Sequence, residues 1–183
     1  MKDYLKEVFD WYQNTLNTVD GKNRKDAGSL HEELAVMLIN LVDKTVDIRR
    51  NQFITVSSKS GKYSTNIEAD VALYREDELM AVVECKTYLD MSMAKRAGND
   101  FRAFERENPN VKCCVLTAQY SMGENARGYI NEEYGYDIFV VNKEKQRNQK
   151  YPLFKTKTGL DRTEVFRFLS FIAQAVPEDM ENN

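Results

Sequence analysis

Asp70, Glu84 and Lys86 interrupt otherwise apolar runs in the stretch "IEADVALYREDELMAVVECKTYLD", residues 67–90. Along a strand, side chains alternate, so Met80, Val82, Glu84 and Lys86 share one face while Leu79, Ala81, Val83 and Cys85 share the other. Glu68, Asp70 and Ala72 are grouped in the same way on the preceding strand. A hairpin turning on "REDEL" with its register centred on Asp77 sets Asp70 opposite Glu84 and Glu68 opposite Lys86. Two carboxylates at cross-strand distance repel each other, and a divalent cation relieves that repulsion. Mg²⁺ fits best, because it takes hard oxygen ligands, usually one or two carboxylates completed by waters and substrate phosphate oxygens. The backbone carbonyl of Cys85 offers a further oxygen. Lys86 faces the same point, where its ammonium pKa should fall near a cation; it would either help deprotonate the attacking water or stabilise the pentacovalent transition state. The chemistry this pattern predicts is phosphodiester hydrolysis by metal-activated water.

The remaining composition narrows the alternatives. His31 is the only histidine, which rules out paired-histidine nucleases and most zinc hydrolases, and its position in a first helical turn suggests a surface or capping neighbour. Cys85, Cys113 and Cys114 lack CxxC spacing, and the adjacent pair should point to opposite faces of a strand, so neither a disulfide framework nor a zinc cage is expected. A reducing cytoplasm suits them. The formal net charge of -3 argues against a generally cationic surface but leaves room for a local basic groove. Apolar runs such as "AVML" and "MAVV" are far shorter than a membrane span, and the N-terminal "MKDYLKEVFDWYQNTL" reads as an amphipathic helix, so no membrane partner is expected.

These residues need elements to hold them. The length suits one domain over residues 1–183, with a core of about 29–142 and added helices at 3–19 and 161–175. Ser29 and Glu32 form an S-x-x-E capping box ahead of the Leu30, Leu34, Met37, Leu38 and Leu41 stripe, which predicts a helix from about Leu30 to Asp43. Strands are expected from Gln52 to Ser58 and through the hairpin to Lys86, followed by a helix from Met93 to Glu107. "VKCCVLTA" is a buried-type strand, "GENARGYINEEYG" a helix ending at Gly135, "YDIFVVN" a strand, and "DRTEVFRFLSFIAQAV" a capped helix. The order predicts an α/β (α+β) mixed sheet: an antiparallel meander, then helix-connected strands, with helices flanking it.

Asp70, thirteen intervening residues, and then Glu84-Cys85-Lys86 resembles the D…(D/E)xK signature of the PD-(D/E)xK nuclease superfamily. In that superfamily the signature lies on two adjacent antiparallel strands of a mixed sheet, and an acidic residue of a preceding helix often joins the site. The resemblance runs in element order from about Ser29 to Ala118; Glu68-Ala69 stands where the nominal proline would precede the aspartate. It implies a restriction endonuclease-like core and a Mg²⁺-dependent endodeoxyribonuclease, with Mn²⁺ able to substitute. Asp70, Glu84 and Lys86 would be catalytic, with Glu33 as the helix acid because it borders the apolar stripe. Asp70, Glu84 and the Cys85 carbonyl would hold the metal. Double-stranded DNA would be the substrate, and symmetric double-strand cutting implies a homodimer.

"VVECKTYLDMSM" followed by a basic helix resembles the restriction-enzyme branch, while the Q-x-x-x-Y element of RecB-type nucleases is missing. On that helix Lys95, Arg96, Asn99 and Arg102 are candidate DNA contacts, although a solvated basic face needs no ligand. The basic run from Lys143 to Lys157 is a second candidate. Two other readings stay open: a structure-selective junction or repair nuclease, and a non-catalytic DNA-binding module that keeps the fold.

Overall fold

Near-continuous apolar runs such as "MAVV" and "CCVLTA" demand strands covered on both faces, and the sheet supplies that position for them. The computed structural model describes residues 2–18, 24–123, 125–144 and 158–177. Its helices are α1 (Lys2–Thr18), α2 (Arg24–Val42), α3 (Met91–Glu107), α4 (Ala126–Tyr134) and α5 (Arg162–Ala175). The strands are β1 (Asp47–Ser57), β2 (Ser64–Arg75), β3 (Glu78–Leu89), β4 (Lys112–Tyr120) and β5 (Asp137–Val140). They form one sheet in the order β1-β2-β3-β4-β5. β1, β2 and β3 are an antiparallel meander; β3, β4 and β5 run parallel, with α3 and α4 making the crossovers that parallel pairs require. This is the mixed α/β arrangement expected of a restriction endonuclease-like core.

Two apolar layers sandwich the sheet. On one face Val71, Leu73, Val83, Leu116 and Phe139 pack beneath α1, α2 and α5. On the other, Ala72, Val82, Val115, Ile138 and Val140 pack against Ala97, Phe101 and Phe104 of α3 and Ile130 of α4. Each such buried valine or leucine contributes about 1.5–3 kcal/mol, so this burial holds β2 and β3 in register just before they reach the charged residues. Among the described residues no helix is long and apolar enough to cross a membrane.

Several element boundaries depart from expectation. α2 begins at Arg24, so Ser29 lies inside the helix and the S-x-x-E pair is not a cap. A helix interior tolerates Gly28 at about 1 kcal/mol, which the buried stripe downstream outweighs. The buried face of α2 is Leu30, His31, Leu34, Ala35, Leu38 and Ile39, with Met37 and Leu41 only half-buried. It is thus rotated away from the predicted stripe. His31 is fully buried rather than at the surface, with its Nε2 3.2 Å from the Tyr12 hydroxyl. A polar residue enters this face because α1 brings it a hydrogen-bonding partner. β1 begins at Asp47, five residues before the predicted strand, because β2 is long enough to pair with it down to Tyr74.

Other local signals act as the sequence suggests. Asp161 caps α5 by accepting the N–H groups of Thr163 and Glu164, and Gly135 ends α4 in the left-handed conformation at φ 77°. Glu164 is buried and ion-paired with Arg127 and Arg167. Of the basic run from Lys143 to Lys157, Lys143 and Glu144 are described and residues 145–157 lie outside the described residues.

α3 and α4 touch through Gly98. A Cβ placed there would meet Tyr134 Cδ1 at 2.4 Å and Cγ at 2.7 Å. Gly98→Ala is therefore expected to lower unfolding free energy by about 1–3 kcal/mol, read by urea denaturation, because the ring must shift to admit the methyl group. Unchanged stability would show that the two helices separate freely.

Candidate active site

The hairpin reaches its register by an indirect route. Arg75 pairs with Glu78, leaving a two-residue turn of Glu76 and Asp77 with φ of 50° and 64°, the signature of a type I′ turn. Tyr74 pairs with Leu79 but Leu73 pairs with Ala81, so Met80 is an extra residue, a β-bulge. That insertion converts the turn's own register into the Asp77-centred one, and Leu73↔Ala81, Ala72↔Val82 and Val71↔Val83 then follow it.

The paired ladder stops at Val71↔Val83, and the site begins there. A continued ladder would bring Ala69 opposite Cys85. Instead the Cys85 N–H donates to the Asp70 carboxylate, with Oδ2 at 2.7 Å. Around Asp70 the alternation of β2 slips: Ala69 and Ala72 lie in the α3-side layer and Val71 in the other. Level with it on β1, Asn51 has φ 50° and interrupts the pairing between Arg50↔Val71 and Gln52↔Ala69. Glu68 pairs with Phe53 of β1 and is exposed, so the expected Glu68–Lys86 opposition does not form. The strands have parted before reaching it.

The Lys86 ammonium draws the other two groups together. Its Nζ lies 3.2 Å from Asp70 Oδ2 and makes an ion pair with Glu84 Oε1. Side-chain exposures of 21% for Asp70, 16% for Glu84 and 21% for Lys86 make this a half-sheltered site that a small ion or phosphate could still reach. Burial and the nearby Asp70 charge push the Glu84 carboxyl up to about 7, against the opposing pull of Lys86 and Arg96. For Lys86, burial would favour the neutral amine, but the two carboxylates outweigh it and hold the ammonium above its ordinary range.

α3 contributes groups of its own. Asp90 caps it by accepting the Met93 N–H at 2.8 Å, so the helix starts directly after β3. Arg96 acts on both Glu84 and Asp100, and the half-buried Asp100 carboxyl is raised by burial against the pull of Arg96 and Lys86. Asp100 is absent from the sequence-based site; its signal was the i,i+4 spacing from Arg96, one helical step round from the Lys95–Asn99–Arg102 side. Lys95 and Asn99 are exposed. Arg102 turns to α4, donating to the Glu133 carbonyl at 2.5 Å with its guanidinium 4.7 Å from the Tyr134 ring centre.

On α2 the expected site acid, Glu33, and its neighbour Glu32 differ in setting. Glu33 is exposed, whereas Glu32 is largely sheltered and pairs with Arg50 at 2.9 Å, beside the Asn51 kink. Burial raises the Cys85 thiol most, and the Glu32 charge adds to that only after those of Asp70 and Glu84. The rotated buried face of α2 explains the difference between the two acids: with His31, Ala35 and Ile39 turned inward, Glu32 becomes the border residue. Gln119 is buried within β4 and donates to the Glu144 carbonyl at 3.1 Å. Cys85, Cys113 and Cys114 are buried free thiols pushed up by burial, poor nucleophiles. Among the described residues no three His, Cys, Asp or Glu side chains gather as a metal cage.

No family model and no curated protein matches the chain. Among solved structures it is similar to one described as the native BbvCI A2B2 tetramer at low resolution, with 14% identity over 94% of this chain and 88% of that chain and a TM-score of 0.38.

Proposed function

We propose that this protein is a Mg²⁺-dependent endodeoxyribonuclease of the PD-(D/E)xK superfamily, of restriction type, acting on double-stranded DNA as a homodimer in the cytoplasm. One observation carries the reading: Asp70 and Glu84 converge on the Lys86 ammonium at the point where β2 parts from β3. A structural ion pair needs one carboxylate. Here a second, sheltered one is held partly protonated near neutrality, which is the charge imbalance a divalent cation would satisfy.

Asp70 and Glu84 would hold the ion, and Mn²⁺ would serve in place of Mg²⁺. The Cys85 carbonyl is suited as a third oxygen donor, since the N–H and C=O of one strand residue point to the same side and its N–H already faces Asp70. Such an ion supplies an acidified water and a polarised phosphoryl oxygen. The chain's own residues do the positioning. The Cys85 N–H fixes the Asp70 carboxylate, Lys86 places its protonated amine where charge develops on the phosphate, and exposed Arg96 offers a phosphate contact beside it. Glu84 must lose its proton before it can act as a ligand.

Supercoiled plasmid incubated with Mg²⁺, Mn²⁺ or EDTA tests this. The wild type is expected to cut in either metal and not in EDTA. Lys86→Met should lower the rate by about 10²–10³-fold while DNA binding in EDTA persists. If the wild type leaves varied DNA substrates intact in both metals, or Lys86→Met cuts as fast as wild type, the reading is wrong. Cutting confined to branched or nicked substrates would instead favour a junction or repair nuclease, and tight binding without cutting a non-catalytic module.

A further inference from the structure

Residues 48–67 form the longest stretch of the chain without an acid, in a protein that carries 29 of them. The stretch builds most of one object. Gln52–Ser57 of β1 pair with Ser64–Ala69 of β2, but the β2–β3 ladder reaches only to Val71, so this part of the hairpin parts from β3, which stays paired with β4 to Leu89, and forms a two-stranded arm of its own. Its inner face, with Ile54, Val56 and Ile67, packs on the α3-side layer. Ser57 is clasped by α3, its N–H donating to Glu107 at 2.6 Å and its carbonyl accepting from Arg106 at 3.3 Å. The tip is closed by Ser58 N–H to the Tyr63 carbonyl at 2.7 Å and Gly61 N–H to the Ser58 carbonyl at 2.8 Å, with Gly61 at φ 68°. A braced arm of this kind is preorganised.

The outer surface of the arm carries one exposed acid, Glu68 across from Phe53 near its base, and its tip carries none. Arg49 and Arg50 pair with Asp47, Asp77 and Glu32, and the exposed tip carries Lys59 and Lys62. Phe53 is 60% exposed and Tyr63 66%, and Thr55 and Asn66 are exposed between them. Lysines at the end of a ribbon bearing hydroxyl, amide and aromatic groups suit phosphates and base edges respectively. The arm starts at Asp70. Six residues from Asp70 to Ser64 span roughly 20 Å, and a two-stranded ribbon fits a B-DNA major groove about 12 Å wide.

Resting on the nuclease reading of Asp70, Glu84 and Lys86, we infer that the β1–β2 arm enters the major groove of the duplex whose phosphodiester lies at its base, Lys59 and Lys62 contacting phosphates and Phe53 and Asn66 facing base edges. Anisotropy in EDTA with a fluorescent duplex pool of randomised central sequence tests it on the full chain. Lys59→Gln with Lys62→Gln should weaken binding roughly tenfold near 100 mM salt and reduce the slope of log K against log salt by about 2. Phe53→Ala or Asn66→Ala should change which sequences are selected from the pool, with the salt slope unchanged.

Circular dichroism melts confirm that the variants fold. The inference is overturned if all four substitutions leave affinity, slope and selected sequences unchanged. It is also overturned if they only dissolve a dimer in sedimentation velocity, which would make the arm a seat for a second copy. Arm-dependent binding by a wild type that cuts nothing would remove the nuclease reading and leave the arm standing; cutting with arm variants that bind like wild type would do the reverse.

Discussion

Asp70→Asn is expected to reduce Mg²⁺-dependent cleavage by about 10³-fold or more while leaving the fold and DNA binding in EDTA nearly intact. The substitution isolates charge from shape. An asparagine oxygen can still accept the Cys85 N–H that Asp70 takes at 2.7 Å, so the parting of β2 from β3 keeps its support. What disappears is one of the two negative charges facing Lys86, and with it half of the proposed ligand charge. Single-turnover nicking of plasmid, run beside anisotropy and a thermal melt, separates these effects. A rate within tenfold of wild type would reduce Asp70 to a hydrogen-bond acceptor that props the strands apart.

Glu84→Gln should abolish cleavage and, at the same time, stabilise the metal-free protein at alkaline pH. The sign follows from where the proton sits. Glu84 titrates near its ordinary 4.5 when unfolded and at about 7 when folded, so between those values the native state holds a proton that the unfolded state has lost. Stability attributable to this group therefore falls as pH rises from about 4.5 and is fully lost above about 7. Glutamine has no such dependence. At pH 8 the variant should be more stable by about 1–3 kcal/mol, a few degrees in Tm, and near pH 4.5 the two proteins should converge. That sign already includes the ion pair to Lys86, which burial and the Asp70 charge outweigh. Calorimetric melts in EDTA across this pH range read it directly. A destabilised variant at pH 8 would mean that the Glu84–Lys86 pair, and not the crowding of Glu84 with Asp70, dominates. The same proton must leave for a cation to bind, so isothermal titration of Mg²⁺ or Mn²⁺ into wild type should show affinity rising through pH 7 with proton release, and Glu84→Gln should show neither.

Much of this site was readable before folding. The alternation that groups Glu84 with Lys86, the apolar neighbours that mark β3 as buried on both faces, and the Asp77-centred register all depend on local rules of strand geometry, and Val71 to Leu73 obey that register. The route to it was hidden. A two-residue turn plus a bulge at Met80 gives the same offset as a turn centred on residue 77, and the sequence does not distinguish them. The α2 acid illustrates a different obstacle. Counting large apolar residues set the buried stripe one step away from where Ala35 and His31 place it, and that rotation leaves Glu33 exposed and Glu32 at the sheltered border. A small residue and a polar one are buried there only because α1 packs over them and Tyr12 partners the imidazole.

Sequence alone determined which residues could do chemistry, the strand and helix periods that carry them, and an antiparallel meander followed by helix-connected strands, because periods and connection lengths are set close along the chain. The tertiary structure decided that β2 leaves β3 at Asp70, that its carboxylate takes the Cys85 N–H in place of a ladder carbonyl, and that Arg96 of α3 acts on both Glu84 and Asp100. It also decided that the β1–β2 arm extends past the site. Those outcomes depend on where strands stop pairing and which helix covers them, and burial of side chains distant in sequence sets both.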